Sequence, residues 1–503
     1  MNNSVKTNLS LIRKTINFIQ DKRNQMKYEK KLEHQRIEVL ENLPYLKFGF
    51  GYDLRDSSSS NEIIDVKIKE DERVGHFWCF GTTRVGKTRL MENMIESDIK
   101  KGFNTIIIDP KLDENLANKV LQTTMDENRI SDLMFFDLDN PIISTEFNPL
   151  KHYKTVDELV DVVMATIGGN TDSFFKSFAE NTIFTVLEAM LIYKKMNNDT
   201  EPLNLSSLAY FCRYEGIKKL ISALSVLQSK KAIENTEMLK SIISFGLEHF
   251  NKLSSNLTTA FASLRRFNLL FYAMENKVID RYEEISKINY DENSDEEKKG
   301  LILLVRVPSL SKPKSSTDAI KILLSTVQRA LADKFKAVNK TPLSIYIDEA
   351  HSVLYDGIEE LFSKAGGANV YMNCFSQSIN QLGINITNSA AAKSLLDNVN
   401  TKLIMRIPDD RTAQSLSKLF GEKTDYDTSY NSNSVMTTYS KREQCVKYDD
   451  LLKLKAREFF LTSQSGDFRG IVNLVSDIRS DISYTRLLDK YVSLNERKKR
   501  TSS

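Results

Sequence analysis

The strongest chemical signal in the sequence is a glycine-rich run, Gly81-Thr82-Thr83-Arg84-Val85-Gly86-Lys87-Thr88. It matches the pattern G-x-x-x-x-G-K-[ST] and lies between a short apolar segment and an amphipathic one, which is the context such a loop requires. Glycine at both ends lets the backbone curl, so that successive N–H groups and the N-terminus of the next helix face an anion. Lys87 is expected to reach the β- and γ-phosphates of ATP, and the Thr88 hydroxyl to bind Mg²⁺. We therefore predict that the whole run binds ATP.

Two acidic residues, Asp348 and Glu349, follow a second apolar segment, residues 343–347. A P-loop enzyme needs a carboxylate at the end of a neighbouring strand to hold magnesium, and Asp348 is the expected residue. Glu349 is placed to polarise the attacking water as general base, an arrangement typical of hydrolytic motors. Lys87, Asp348 and Glu349 are thus predicted catalytic residues, with Thr88 and Asp348 as magnesium ligands.

Polar side chains end two further apolar segments, at the edge where ligands bind in open α/β sheets. Residues 370–375 lead into Gln377, whose amide can sense the γ-phosphate or hold the water, so Gln377 is the fourth predicted catalytic residue. Asp109 and Lys111 follow the segment 104–108. For this pair, a role near the nucleotide or a subunit boundary and ordinary loop polarity both stay open.

The apolar patterns predict the elements that must position these side chains. Strand and helix patterns alternate from about residue 76 to 137 and strand patterns resume after residue 300, which predicts an α/β fold with a parallel-rich sheet. From about 151 to 290 the periodicity is helical, which predicts an all-alpha insert. The polar stretch from Lys423 to Tyr439 has no clear period and is predicted to be a long loop.

A chain of 503 residues suggests about three domains. We predict an N-terminal helical and linker region at 1–70 and a basic C-terminal tail at 481–503. The two parts of a nucleotide-binding domain are predicted at 71–150 and 299–480. An all-alpha domain at 151–298 is predicted between them.

Composition restricts the class of protein. Hydrophobic residues make up 41% and charged residues 27%, as in ordinary folded proteins. The net charge of +3 provides no general attraction for nucleic acid, so DNA binding must use local patches. The four cysteines form no C-x-x-C pair and the five histidines have no metal-binding spacing. This argues against a zinc site and predicts free thiols in a reducing cytoplasm.

The first 44 residues carry a helical pattern of their own. Leu9, Ile12, Ile16 and Ile19 share one helix face, and residues 1–40 contain nine Lys or Arg against four Asp or Glu. This basic amphipathic helix suits an anionic membrane surface or a partner protein, and it can also pack on its own chain. No segment is long and apolar enough to cross a bilayer. We therefore expect a cytoplasmic location, at the inner face of the bacterial cell membrane if the helix binds lipid.

Together, the motifs resemble those of type IV secretion coupling proteins of TraG/TraD type. The P-loop is followed by I-I-I-D-P-K at 106–111, F-N-P-L at 147–150, I-Y-I-D-E-A at 345–350 and F-S-Q-S at 375–378. The P-loop and the D-E pair alone indicate only a P-loop ATPase, so the resemblance depends on their combination with F-N-P-L and the helical insert. Two features depart from the family: many members begin with transmembrane helices, and Leu112 stands where relatives often have glycine.

The resemblance implies a RecA-like motor domain with an all-alpha domain inserted between its strands, assembled into homo-hexameric rings. It implies ATP and Mg²⁺ as cofactors, and as partners DNA bound without sequence preference, relaxase or other secretion substrates, and components of the secretion channel. A ring motor is expected to bring a basic group from the neighbouring subunit to the γ-phosphate. Candidates for it are Arg265, Arg266, Arg406 and Arg411, and Lys364 is a candidate for contact with DNA in the pore.

The predicted function is ATP-driven recruitment and translocation of DNA, or of a relaxase-DNA complex, into a conjugation channel. One alternative is an ATP-gated receptor, in which the helical insert and the basic run 497–500 bind secreted proteins. Another is a cytosolic DNA-pumping ATPase of chromosome-partition or packaging type. The residues Lys87, Thr88, Asp348 and Glu349 fit all three functions.

Overall fold

The computed structural model describes residues 45–55, 62–167, 171–287, 300–334, 341–379, 382, 394–430 and 436–489. The predicted N-terminal amphipathic helix and residues 490–503 of the predicted tail lie outside these residues. The strands are β1 (Tyr45–Asp53), β2 (Ile64–Lys69), β3 (Phe77–Phe80), β4 (Asn104–Asp109), β5 (Leu133–Asp137), β6 (Ile302–Arg306), β7 (Leu343–Ile347), β8 (Val370–Ser376), β9 (Thr401–Ile404), β10 (Glu422–Tyr430), β11 (Met436–Gln444), β12 (Glu458–Thr462) and β13 (Asp467–Val472).

The α-helices alternate with the strands at both ends of the described chain and follow one another in its middle. They are α1 (Lys87–Lys100), α2 (Glu114–Asp126), α3 (Val156–Met164), α4 (Ser173–Met196), α5 (Leu205–Phe211), α6 (Tyr214–Leu224), α7 (Lys230–Ile243), α8 (Gly246–Leu253), α9 (Ser255–Leu264), α10 (Asn268–Phe271), α11 (Lys277–Lys287), α12 (Pro313–Lys334), α13 (Ile358–Lys364), α14 (Asp410–Ser417) and α15 (Tyr448–Lys453).

One large mixed sheet organises these elements. Its strand order is β2-β1-β13-β12-β9-β3-β8-β7-β4-β6-β5. Neighbours from β9 to β5 are parallel, whereas β12, β13, β1 and β2 extend the sheet with antiparallel pairs. The predicted α/β class with a parallel-rich sheet is confirmed.

The central strands form because their residues can be buried on both faces of the sheet. Every residue of β3, β6, β7 and β8 is buried, as expected for parallel strands covered by helices on both sides. Successive residues of β3 alternate between two apolar clusters, so that Phe77 packs with Leu90 and Met94 of α1 while Trp78 packs on the opposite face. The P-loop strand is therefore fixed from both sides.

A buried polar network links the helix after the P-loop to the strand that precedes the acid pair. The guanidinium of Arg73 donates to both carboxylate oxygens of Asp98, in α1, at 2.6 and 2.7 Å. The hydroxyl of Tyr346, in β7, donates to Asp98 Oδ2 at 2.5 Å. Removing one partner would leave a buried charge unpaired, at a cost of about 3–5 kcal/mol. The network thus fixes α1 relative to β7.

The run of helices α3 to α11 lies between β5 and β6 in the chain, which confirms the all-alpha insert. The F-N-P-L motif, just before the insert, contacts two later segments of the insert. Asn148 Nδ2 donates to the carbonyl of Leu203 at 2.8 Å, and Asn276 Nδ2 donates to the carbonyl of Asn148 at 2.8 Å. Phe147 forms an isolated antiparallel bridge with Asn276. The motif is therefore a structural junction between the sheet and the insert.

Two sequence predictions about local structure were wrong. The stretch Lys423 to Tyr439, predicted to be a loop, belongs largely to the antiparallel pair β10 and β11. The region 1–70, predicted to be helical and linker, contains β1, which pairs with β13 in the main sheet. In β1, a Cβ at Gly49 or Gly51 would lie 1.9 or 2.0 Å from a carbonyl oxygen of β13. These glycines permit the close approach of β13, although glycine weakens a strand pattern in the sequence.

Three properties of the described residues bear on the class of protein. None of their helices is long and apolar enough to cross a membrane. Cys79, Cys212, Cys374 and Cys445 are free thiols, the first three of them buried. Within the same residues, no group of three or more His, Cys, Asp or Glu side chains is arranged to hold a metal ion.

Candidate functional site

The predicted phosphate-binding loop connects β3 to α1. Gly86, at φ 110°, is the residue before α1 and has a left-handed conformation that costs glycine little. A Cβ atom at Gly81 would lie 2.9 Å from Cβ of Met405, so this position also requires glycine. The first turn of α1 contains no acidic residue, which leaves its positive helix dipole available for an anion. These features suit the predicted binding of phosphate.

Lys87 folds back over this loop. Its Nζ donates to the carbonyl oxygens of Gly81 at 2.6 Å and Thr82 at 2.9 Å. Burial lowers the pKa of Lys87, and the nearby carboxylates of Glu349 and Asp348 oppose that shift. The predicted phosphate-binding lysine and the predicted acid pair therefore lie within one electrostatic environment.

The acid pair follows β7 at the carboxyl edge of the sheet. Asp348 is 5% exposed, and its backbone N–H donates to the carbonyl of Ile108 at 3.2 Å. The N–H of Glu349 donates to Asp348 Oδ1 at 3.0 Å. Glu349 has a left-handed backbone (φ 48°, ψ 45°), which costs a residue other than glycine about 1 kcal/mol or more. Such strain persists where the surroundings hold a side chain in one functional position.

Lys111 and Gln377 converge on Glu349 from neighbouring strands. Lys111 Nζ lies 2.6 Å from Glu349 Oε1 and 2.9 Å from Asp348 Oδ2. Gln377 Nε2 donates to Glu349 Oε1 at 3.4 Å. Burial alone would raise the pKa of Glu349, but the hydrogen bond and charge of Lys111, with a smaller effect of Gln377, lower it. Glu349 is therefore a carboxylate at neutral pH and able to accept a proton.

Part of the chain matches the model of a known protein family. Residues 342–456 match the family model described as "TraM recognition site of TraD and TraG". The segment contains β7, the acid pair and Gln377. The chain resembles coupling proteins of TraG/TraD type. No match was found among curated protein sequences.

Solved structures of coupling proteins share the fold. The bacterial conjugative coupling protein TrwBdeltaN70, in an unbound form, matches with a TM-score of 0.58 at 13% identity, over 87% of this chain and 96% of that one. The plasmid coupling protein TrwB in complex with ADP and Mg²⁺ matches with a TM-score of 0.56 at 14% identity, over 88% of this chain and 98% of that one. The chain thus has the RecA-like core with an all-alpha domain that the coupling-protein resemblance implied.

The remaining residues of the predicted ATP-binding run differ in burial. Thr82 and Thr88 are partly buried, Thr83 and Arg84 are exposed, and Val85 is buried. The N–H of Thr82 donates to the carbonyl of Arg406 at 2.9 Å, so the segment that follows β9 supports the loop. The structure brings the predicted ATP-binding run, the acid pair and Gln377 to one edge of the sheet.

The other basic candidates lie apart from one another. Arg406, whose backbone carbonyl supports the P-loop, has an exposed side chain. Arg411 is exposed in α14. Arg265 Nε donates to the hydroxyl of Tyr272 at 3.3 Å in the helical insert. Lys364 pairs with Glu360, one turn away in α13, at 2.8 Å. Among these residues, only Arg406 contacts the P-loop of its own chain through its backbone.

Sequence reasoning missed a second support of the P-loop, Arg457. Its N–H donates to the carbonyl of Val85 at 2.7 Å, and its guanidinium donates to the carbonyl of Val472 at 2.7 Å. The residue also has a positive φ of 72°. No local motif marks Arg457, because its role comes from the position of β12 and β13 beside the loop.

The turn after β4 explains the D-P-K motif. Asp109 is buried, and its carboxylate accepts from the N–H of Lys111 at 3.0 Å and from the N–H of Asp113 at 2.7 Å. Between them, Leu112 has a left-handed backbone with φ 57°. Asp109 therefore shapes the turn, and Lys111 is the member of the motif that reaches the acid pair.

The donor set at this edge fits a magnesium ion bound with nucleotide. The Asp348 carboxylate and the Thr88 hydroxyl offer the hard oxygen atoms that Mg²⁺ prefers. Thr88 lies in the first turn of α1, beside Lys87, and Asp348 is close enough to Lys87 to change its pKa. Mg²⁺ typically combines one or two protein ligands with phosphate and water oxygens, so this small set is sufficient.

Proposed function

We propose that this chain is an ATP-hydrolysing coupling protein that recruits and translocates DNA, or a relaxase-DNA complex, into a type IV secretion channel. The observation that carries the proposal is the convergence of Lys87 with Asp348, Glu349 and Gln377 at one sheet edge. Structures with the same fold are described as TrwB in complex with ADP and Mg²⁺ and with a non-hydrolysable ATP analogue. They support ATP and Mg²⁺ as cofactors here.

In this proposal, each residue of the site has a separate task. The N–H groups of the loop and the Lys87 ammonium bind the phosphates, and Thr88 and Asp348 hold Mg²⁺, which neutralises phosphate charge. Glu349 accepts a proton from the attacking water. Gln377, hydrogen-bonded to Glu349, senses the γ-phosphate or holds that water.

We further propose that hydrolysis is completed in a homo-hexameric ring, with a basic side chain supplied by a neighbouring subunit. Exposed arginines such as Arg406 and Arg411 can meet a neighbour without disturbing the core. The parts 71–150 and 299–480 form the motor and 151–298 the insert, and residues 1–44 provide contact with the inner face of the membrane. DNA passes through the ring by phosphate contacts that read no sequence.

The test is the rate of ATP hydrolysis by the full chain, measured against protein concentration with and without single- and double-stranded DNA. We expect DNA to raise the rate, and the specific rate to rise with protein concentration as rings form. Glu349→Gln should retain ATP binding but lose about 10²–10⁴-fold in rate, since a positioned base contributes that much. Hydrolysis indifferent to DNA and to concentration would reject the motor.

A second candidate, an ATP-gated receptor for protein substrates, is favoured by one observation. The matched segment 342–456 is named for recognition of another protein, and it contains the antiparallel pair β10 and β11, which stands outside the main sheet. Full chain with residues 425–441 replaced by a short turn should keep ATP binding. Loss of relaxase capture by this variant, with DNA-stimulated hydrolysis unchanged, would support the receptor.

A further inference from the structure

Lys111 binds both members of the acid pair with one ammonium group. Its Nζ lies 2.9 Å from Asp348 Oδ2 and 2.6 Å from Glu349 Oε1. The first oxygen belongs to the proposed magnesium ligand and the second to the proposed general base. The Lys111 side chain is 43% exposed, whereas the Asp348 and Glu349 side chains are 6% and 13% exposed. The lysine therefore reaches from the solvent side into a site whose carboxylates are mostly buried.

The backbone that carries Lys111 is held by several independent contacts. The carboxylate of Asp109 accepts from the N–H groups of Lys111 and Asp113 at 3.0 and 2.7 Å. Asp113 in turn caps α2, accepting from the N–H of Asn115 at 2.9 Å. Leu112 keeps a left-handed backbone within this turn. Strain of this kind persists only where surrounding contacts determine the conformation, so the position of Lys111 is built into the turn.

An ammonium group and a divalent cation are both attracted to the carboxylate of Asp348, and each weakens the binding of the other at close range. Lysine suits a reversible contact, because its ammonium group is a point charge at the end of a flexible side chain. The side chain can move away without breaking a bidentate set of hydrogen bonds. We propose that Lys111 is a positioning residue that competes with the divalent cation for Asp348, and so sets the cation concentration at which the nucleotide site fills. This inference rests on the proposed nucleotide site.

The test uses full chain without DNA and measures cation affinity rather than turnover. Binding of Mn²⁺ in the presence of ADP is followed by electron paramagnetic resonance, for wild type, Lys111→Met and Lys111→Arg. We expect Lys111→Met to bind Mn²⁺ about tenfold more tightly, because a unit charge is removed from beside a ligand oxygen. Lys111→Arg keeps the charge and should bind Mn²⁺ no more tightly than wild type.

The matched control is Lys100→Met, which removes a lysine paired with Glu96 at 2.8 Å at the far end of α1. It should leave Mn²⁺ affinity unchanged. If Lys111→Met does not fold, Lys111→Gln replaces it, with thermal unfolding as the check. Mn²⁺ affinity of the folded variant within twofold of wild type, or Lys111→Arg as tight as Lys111→Met, would overturn the inference.

Failure of the proposed function gives a different result. If wild type and Lys87→Ala bind ADP and Mn²⁺ equally, the P-loop is not a nucleotide site, and both proposals fall. If binding depends on Lys87 but not on the charge at position 111, the nucleotide site stands and the competition is rejected.

Discussion

Two loops leave the same edge of the sheet, and each positions one lysine at the proposed nucleotide site by different means. The P-loop after β3 has glycine, Gly86, at its left-handed position, and Lys87 is held by backbone carbonyls. The turn after β4 has Leu112 at its left-handed position, and its conformation depends on the Asp109 carboxylate. The first loop is shaped by its own backbone, and the second by side-chain contacts. Only the first can be recognised from a short motif.

Loss of the Lys87 side chain should have the largest effect on the proposed site. Lys87→Ala should weaken ATP binding by about a hundredfold, because hydrogen bonds to charged groups contribute about 1.5–3 kcal/mol each. Isothermal titration with an ATP analogue measures the effect. Lys100→Ala, in the same helix, should bind like wild type. Equal affinity of Lys87→Ala and wild type would contradict the role of the loop.

Gly86→Ala tests whether the P-loop depends on its backbone. At φ 110° an alanine is strained, and its Cβ would lie 3.3 Å from Cγ of Arg457, so we expect a loss of about 2 kcal/mol in the free energy of unfolding. Urea unfolding of wild type and Gly86→Ala measures this loss. Gly357→Ala is the matched control, since Gly357 has φ 102° in open space before α13. Both variants should lose stability, but only Gly86→Ala should also weaken ATP binding.

The turn after β4 should respond to pH through Asp109. Burial raises the pKa of Asp109 to about 7, although Arg306 and the N–H of Lys111 oppose the shift. Between about pH 4 and 7 the folded chain then holds a proton that the unfolded chain has released, so its stability falls as pH rises, by up to about 1.4 kcal/mol per unit.

Asp109→Asn removes this titration and keeps an acceptor oxygen. Urea unfolding at pH 5, 6 and 7 should show wild type losing stability relative to the variant as pH increases. Parallel curves for the two proteins would show that Asp109 is already ionised throughout this range in the folded state.

Leu112→Gly should change the free energy of unfolding least among these variants, and in the opposite direction to Gly86→Ala. Replacing the left-handed leucine by glycine removes about 1–2 kcal/mol of backbone strain from the folded state. The greater conformational freedom of glycine in the unfolded chain reduces this gain in the free energy of unfolding by up to about 1 kcal/mol. We expect a gain of about 0.5 kcal/mol by urea unfolding. Leu112→Ala keeps the strain and should gain nothing. A loss of stability in Leu112→Gly would show that the leucine side chain contributes more than its backbone costs.

The sequence predicted the parts of this molecule whose signals are local. The central strands carry apolar runs because both of their faces are buried, as in F-W-C-F of β3. The P-loop and the acid pair were predictable because phosphate and magnesium chemistry demands particular residues at fixed spacing. The helical insert followed from its periodicity.

The rest depends on contacts between distant residues. The strand β1 was missed because its glycines weaken a strand pattern, although close approach of β13 requires them. The pair β10 and β11 was missed because its polar residues show no apolar alternation. The contact of Lys111 with the acid pair connects the turn after β4 to the end of β7, which are far apart in sequence. The D-P-K motif therefore identified the segment that contains Lys111 but not the residues that Lys111 contacts.

The proposed motor is tested most directly by the rate of ATP hydrolysis by the full chain with and without DNA, over a range of protein concentrations. We expect DNA to increase the rate and the specific rate to rise with concentration. Glu349→Gln should abolish both effects while ATP binding remains. A rate that is the same with and without DNA at every concentration, or that survives in Glu349→Gln, would contradict the proposed motor.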